Sequence, residues 1–515
     1  MRFLLIGLAL CLQGFAPASA LSPQDDKMAR VAGDALLWHM ANGRSRQAFE
    51  AMPKGGDIHN HLRGAIYAES WLEWAAEDGL CADMSRSALV FREEATCEDS
   101  GWLDAAAAQA DDNMRLQLIN GLSTRNYVPT NGWSGHNQFF ATFGRISAKP
   151  ERLGDQLAAV AERAGRQNIL YLELMETLVL PELFPLIAGV KMTGNVAVDY
   201  QTLTSGKLGT ALEDLTQKIQ SQIDAANQKK NVMLGCGSAA PKAGCDVEIR
   251  FLHQVIREFE PAMVYAQIIL GWSVMETLDE VVGLNLVAPE DGFRALRDYS
   301  QHMRMIDHLY NTRGPQNITL HAGELALGLV RPKQLKFHIR EAIEIGHAKR
   351  IGHGVSITFE DESAELLTKM VEDDILVEIN LTSNAVILGV QGSDHPLAVY
   401  RDLDVPYTVS TDDEGVSRID LTHEYTRLAT TYRVPYFELR HVSRNSLTYS
   451  FLDGESLWAS ADCEADVEAV RPAGQACQQV LDASEKARLQ WKLEQKFRKF
   501  ENELKIPERK RNSFK

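Results

Sequence analysis

No stretch of the 515-residue chain approaches about 20 uninterrupted apolar residues, which excludes a conventional membrane-spanning helix. No C-x-x-C pair occurs, which argues against a zinc ribbon or a thioredoxin-like redox centre. H-E-x-x-H, G-x-S-x-G and the Walker A pattern are missing too, removing zincin proteases, nucleophile-elbow hydrolases and P-loop enzymes. Positive charge is in deficit: 53 Lys and Arg against 70 Asp and Glu, a formal net charge of −17. An acidic surface repels a phosphate backbone, so long nucleic acid is not an expected partner and a small, weakly charged substrate fits better. The remaining composition, 45% hydrophobic and 24% charged, is that of a globular protein and not of a disordered chain, a collagen-like repeat or a coiled coil. Its length suits about three average domains, or one (β/α)8 barrel enlarged by insertions.

Met1–Ala20 reads as a signal peptide: Arg2 supplies the positive start, Phe3–Leu12 the apolar stretch and Ala18-Ser19-Ala20 a small-residue cleavage pattern. Cleavage there predicts an exported protein, periplasmic or secreted, with no membrane attachment afterwards. Cys11 leaves with the signal, and the other cysteines fall into sequence-local pairs, Cys81/Cys97, Cys236/Cys245 and Cys463/Cys477. Six cysteines allow 15 connectivities. The local pairing is expected because export places the thiols in an oxidising compartment.

After a helical segment at 21–51, eight short apolar or β-branched runs alternate with helical stretches. They are Asp57–His61, Ile169–Met175, Met263–Leu270, Val281–Val287, Ile318–His321, Arg350–His353, Ile375–Asn380 and Tyr407–Thr411. The helical stretches include Glu151–Gln167, Phe293–Asn311, Lys333–Gly346 and Asp361–Asp374. Strand–helix alternation repeated eight times predicts a (β/α)8 TIM-type barrel over 52–455. Insertions interrupt it at about 67–147 and 180–247, the second with a candidate helix at Leu212–Gln228. A loop and helical extension follows at 456–515, with Trp491, Leu493, Phe497 and Leu504 as its docking stripe. The insertions and the tail offer surface from which a homo-oligomer could be built.

His59-Asn60-His61 ends the first run. Side chains at i and i+2 of a strand share a face, so both imidazoles can converge on one ion. Such a pair also occurs by chance, but His321, His353 and Asp412-Asp413 close three further runs, and Glu324 follows just after His321. In a barrel these strand ends meet at one rim. Imidazoles with a carboxylate suit a borderline divalent cation, most naturally one Zn²⁺ per chain, with a position left for water. The ion lowers the water's pKa, and a nearby carboxyl or histidine can move protons. Glu173 and Glu176, at the end of the second run, are expected to hydrogen-bond at the barrel mouth.

Met52-Pro53-Lys54-Gly55-Gly56-Asp57-Ile58-His59-Asn60-His61-Leu62, Leu320-His321-Ala322-Gly323-Glu324, Arg350-Ile351-Gly352-His353-Gly354, Leu381-Thr382-Ser383-Asn384 and Ser410-Thr411-Asp412-Asp413 stand in the order seen in adenosine deaminases. The chain resembles that family from about Met52 to about Arg427. The signal segment and the run from His136 to Phe143 resemble its secreted branch. The resemblance implies a zinc-dependent hydrolysis of adenosine and 2′-deoxyadenosine to the 6-oxo purine and ammonia. It places zinc on His59, His61, His321 and Asp412. Glu324 would protonate purine N1, His353 would orient and deprotonate the water that attacks C6, and Asp413 would hydrogen-bond N7.

Three positions depart from the family's habit. Arg63 replaces an acidic residue that meets the ribose 5′-hydroxyl, which opens a 5′-phosphate as an alternative to a structural or ion-paired arginine. Ala288 stands where glycine brings a backbone N–H to purine N3, and Glu414 replaces a proline after the Asp-Asp pair. The alternative readings are therefore a deaminase of a 5′-nucleotide or 5′-modified adenosine, and, more distantly, an inactive secreted binding or signalling protein.

Overall fold

The computed structural model describes residues 23–506. The signal segment and the basic end of the tail lie outside these residues. Eight parallel strands follow in chain order: β1 (Gly55–His61), β2 (Ile169–Glu176), β3 (Glu248–Ile256), β4 (Val281–Val287), β5 (Thr319–Ala322), β6 (Arg350–His353), β7 (Leu376–Ile379) and β8 (Tyr407–Val409). They pair as β1–β2–β3–β4 and β5–β6–β7–β8. Parallel bridges from Leu284 to Ile318 and from Asn60 to Asp412 join the two halves. At the second seam the His61 N–H donates to the Asp412 carbonyl at 2.8 Å and the Asp412 N–H to the His59 carbonyl at 3.0 Å. The sheet thus closes into the (β/α)8 barrel, and its last seam lays two candidate ligands of β1 against a third.

One strand is not where the apolar pattern predicts it. Met263–Leu270 lies inside a helix, Pro261–Met275, and the third strand is Glu248–Ile256. The helix is buried on almost every side, so its residues are apolar all round and carry no 3.6-residue period. Pro261 sits in its first turn, where a missing N–H costs nothing. The true strand alternates charged and apolar residues, because Arg250 faces outward to Glu485 of the C-terminal helix, 2.7 Å away. The second insertion, between β2 and β3, is helical: Leu180–Ile187, Val196–Thr204 and Lys207–Leu234, the last longer at both ends than expected.

The first insertion holds a small antiparallel sheet (Cys81–Asp83, Ala88–Val90, Leu103–Asp104) and several helices, of which Gly135–Phe143 lies over the barrel mouth. Ser134 and Asn137 form a reciprocal capping box at its start, satisfying donors that the first turn cannot pair. Disulfides join Cys81 to Cys97, Cys236 to Cys245 and Cys463 to Cys477. The C-terminal helix Glu485–Glu503 buries Trp491, Leu493 and Phe497, with Leu504 packed beside them. Its buried Glu494 is held by Arg444 at 2.7 Å and Arg440 at 3.6 Å. No helix among the described residues is long and apolar enough to cross a membrane.

Candidate active site

The strand ends place His59 and His61 (β1), His321 (β5) and Asp412 (after β8) with one ligand atom each within 4.8 Å of one another. Each histidine engages its other ring nitrogen with an acceptor. His59 Nδ1 lies 2.6 Å from Glu378 Oε2, His61 Nδ1 2.8 Å from Gln254 Oε1 and His321 Nδ1 2.9 Å from Asn285 Oδ1. Those oxygens can only accept, so each Nδ1 carries the proton and each Nε2 keeps a lone pair. The consequence shows in the geometry. His61 Nε2 and His321 Nε2 face each other at 3.1 Å with no proton to share, and His59 Nε2 is buried without a hydrogen-bond partner. Asp412 Oδ1 stands 3.4 and 3.2 Å from the Nε2 atoms of His59 and His61. Three converging lone pairs and a carboxylate are repulsive alone and complementary to a divalent cation, so the residues present fit one. A proton competes with a cation for that seat: burial opposes charge on His59, yet Asp412 and Glu378 outweigh it and push that ring up to about 10, so the negative field attracts a positive charge of either kind.

A buried ion network supports this donor set from below. Arg350 on β6 lies between Glu378 and Glu173, 2.5 Å from each, and Tyr171 donates to Glu173. Glu173 therefore sits inside the barrel and not at the mouth where its sequence position suggested. Glu378, Gln254, Asn285 and Arg350 drew no functional reading from sequence. The available signal was a polar residue within an apolar strand, as in Ile375–Asn380 and Val281–Val287, since a barrel strand buried on both faces holds a polar side chain only when it is paired.

Glu324, His353 and Asp413 gather beside the donors. Burial, reinforced by Asp412 and Glu290, pushes the Glu324 carboxyl well above the ordinary range. Burial and the adjacent Asp412 do the same to Asp413. Glu290 shapes the Glu324 turn by accepting the N–H groups of Gly323 at 3.0 Å and Glu324 at 2.7 Å. His353 Nε2 is 3.9 Å from Asp412 Oδ2, and its Nδ1 is 3.7 Å from Glu324 Oε1. Two glycines make room for these groups: a Cβ on Gly64 would fall 1.5 Å from Asp413 Oδ1, and one on Gly352 2.7 Å from His59 Cε1. Ala288, His353 and Asp412 all adopt left-handed backbone (φ 80°, 68° and 60°), a cost that non-glycine residues bear at sites the surrounding structure holds firmly.

His61, His321, Glu324, His353, Asp412 and Asp413 open into one cavity of about 470 Å³. Phe139, Phe140 and Phe143 of the Gly135–Phe143 helix form its apolar wall, and His136 of the same helix pairs with Asp291 at 2.8 Å. Ala288 also lines the cavity, its carbonyl taking a 2.9 Å bond from Arg257 Nε, so its backbone is anchored. Arg63 reaches the cavity but spends one guanidinium nitrogen on the Ile146 carbonyl at 2.5 Å and lies 5.8 Å from the Trp71 ring. Glu176, pushed up to about 7 by burial with Arg63 as countercharge, lines the same wall. Glu414 turns away from the cavity to Arg163 at 2.6 Å.

The profile of the adenosine deaminase family matches residues 213–460. An adenosine deaminase of Clostridium perfringens is 31% identical over 193 residues, 36% of this chain and 53% of that protein. One of Escherichia coli is 33% identical over 178 residues, 34% of this chain and 48% of its own length. The matches span about half the length of these relatives. Among solved structures, Arabidopsis ADAL complexed with IMP superposes with a TM-score of 0.52 at 18% identity, covering 88% of this chain and 99% of that one. The N6-methyl-AMP deaminase of Arabidopsis thaliana gives 0.50 at 19% identity over 85% and 99%. Both share the barrel fold. From β3 to β8 the chain is thus similar in sequence to adenosine deaminases, and it shares the barrel fold of these structures.

Proposed function

We propose that this protein hydrolyses the 6-amino group of adenosine and 2′-deoxyadenosine, giving the 6-oxo purine nucleoside and ammonia. The observation that carries the reading is the convergence of the three histidine Nε2 atoms and Asp412 beside two buried carboxyls, Glu324 and Asp413, that burial and neighbouring carboxylates push above the ordinary range. His59, His61, His321 and Asp412 would hold one divalent cation, zinc by ligand softness, which when bound lowers the pKa of a coordinated water toward 7. Glu324 carries a proton in a low-dielectric site and gives it to purine N1, which makes C6 electrophilic. Asp413 donates to N7, and the Ala288 backbone N–H faces N3. His353 orients the attacking water against C6. The phenylalanine wall covers the base and excludes bulk water.

Arg63 is the feature that points to a 5′-phosphate. Its bond to Ile146, its place beside Trp71 and the carboxyl of Glu176 on the same wall favour the structural reading and an uncharged ribose end. The disulfides support an oxidising compartment, and with it the export expected from residues 1–20. The test is a panel of adenosine, 2′-deoxyadenosine, 5′-deoxyadenosine and AMP on zinc-loaded protein. Adenosine and 2′-deoxyadenosine are expected to lead, and AMP turnover well above adenosine would transfer the proposal to a nucleotide. Glu324→Gln is expected to remove nearly all turnover and leave zinc bound; an equally active variant would sink the mechanism.

A further inference from the structure

His353 reaches beyond the site through a buried chain of hydrogen bonds whose direction can be read from one end. The Leu397 backbone N–H, a group that only donates, points at His395 Nδ1 from 3.1 Å. His395 Nδ1 is therefore an acceptor, and its ring proton sits on Nε2. That Nε2 lies 3.0 Å from Asn384 Oδ1, which turns the amide's NH2 toward His353. Asn384 Nδ2 lies 2.8 Å from His353 Nδ1. All three side chains are at most 3% exposed, so no bulk water can reset the direction of the chain. Burial also holds His395 neutral, down to about 4, leaving it a single ring proton.

We infer that Asn384 and His395 are positioning residues that lock His353 with its proton on Nε2, facing the cavity, and a lone pair on Nδ1. The opposite polarity would aim a His395 Nδ1–H at the Leu397 N–H and leave two buried donors unbonded. One contact has the contrary sense: Asn380 Nδ2 stands 3.5 Å from His353 Nε2, too far for a working bond. Asn380 Oδ1 is buried without a partner, and half a turn of that amide gives the Nε2–H an acceptor. His353 then meets the incoming water as a hydrogen-bond donor. It orients the water and offers it no lone pair, so the water's proton goes to Glu324, which is a carboxylate once its own proton has passed to purine N1. This narrows the role expected from family resemblance, in which the same ring also deprotonates the water.

The tautomer stands on geometry alone, whereas its effect on turnover rests on the deaminase reading. The test is ¹⁵N-histidine spectroscopy of the zinc-loaded protein, with the His353 ring assigned by its loss in His353→Gln. The expected spectrum shows a protonated Nε2 and an unprotonated Nδ1; a protonated Nδ1 would overturn the inference. Asn384→Asp places an acceptor where the donor was, so the two His353 signals should exchange character. With that change kcat should fall about tenfold or more while KM stays within about twofold and zinc content holds. Unchanged ¹⁵N shifts in a folded Asn384→Asp variant would also overturn it. His395→Phe keeps ring volume but frees the Asn384 amide to turn, and should give His353 signals averaged between the two tautomers. A protein that turns over no 6-aminopurine would defeat the deaminase reading, while the wild-type spectrum still decides the relay.

Discussion

Glu378 lies beneath the site, and its replacement by glutamine tests how that layer tunes the donors. Its carboxylate accepts from three groups: His59 Nδ1 at 2.6 Å, Thr319 Oγ1 at 2.9 Å and Arg350 Nε at 2.5 Å. Glutamine offers one acceptor oxygen and an NH2. With its oxygen toward Arg350 and Thr319, the NH2 meets His59 Nδ1–H and drives that ring to the other tautomer, which puts a proton where a cation needs a lone pair. With the amide reversed, the NH2 presses on the Arg350 guanidinium. Losing an acceptor behind a ligating histidine costs about 10- to 100-fold in metal affinity. Arg350 keeps Glu173 at 2.5 Å, so the stability loss should stay below the roughly 3–5 kcal/mol of a fully orphaned buried charge. Zinc competition against a chelator of known affinity, alongside urea unfolding, reads both quantities. Zinc affinity within twofold of wild type, in a folded Glu378→Gln protein, would refute the reasoning.

Gly64→Ala places a methyl 1.5 Å from Asp413 Oδ1 and must turn that carboxyl aside. The loss of the carboxyl's hydrogen bond to the purine, with the buried partner left unpaired, costs about 1–3 kcal/mol and predicts roughly a 5- to 150-fold fall in kcat/KM with zinc retained; unchanged turnover would show that Asp413 does not touch the base. Glu424, fully buried under the Leu381–Ile387 helix, is pushed up to about 7 by burial. Its folded pKa exceeds its unfolded one, so the stability tied to its protonated form is complete below about pH 4.5 and is lost as pH rises through about 7. Glu424→Gln removes that loss, and the variant should gain on wild type between about pH 5 and pH 8, by up to roughly 3 kcal/mol, in urea melts across that range. A stability difference flat with pH would contradict the buried-carboxyl account.

The barrel and the donor set were legible because the residues that carry chemistry sit at strand ends, and strand ends of a parallel barrel meet by construction. His59, His61, His321, His353 and Asp412 are far apart in sequence yet occupy the same position in their repeating units. The third strand was not legible: the Pro261–Met275 helix is as apolar as a barrel strand, and the outward Arg250 of β3 looks like a loop residue until its partner Glu485 is known. The layer behind the ligands escaped for a related reason. Glu378 and Arg350, or Asn384 and His395, acquire meaning only as pairs, and no local period announces a pairing between elements. The direction of the Asn384 amide needs a donor anchored at Leu397, which geometry alone supplies. Arg63 is a case in which sequence left two readings, a structural or ion-paired arginine first and a 5′-phosphate contact second; one guanidinium nitrogen bonds the Ile146 carbonyl while the side chain still lines the cavity.

The most direct test of the central claim is conversion of adenosine to inosine by the purified mature protein, followed by loss of the adenosine absorbance and by ammonia released, with and without a zinc chelator. The account predicts steady turnover with one ammonia per inosine, abolished by the chelator and restored by added zinc. Protein shown to hold zinc that leaves adenosine and every other 6-aminopurine in the panel intact would contradict it.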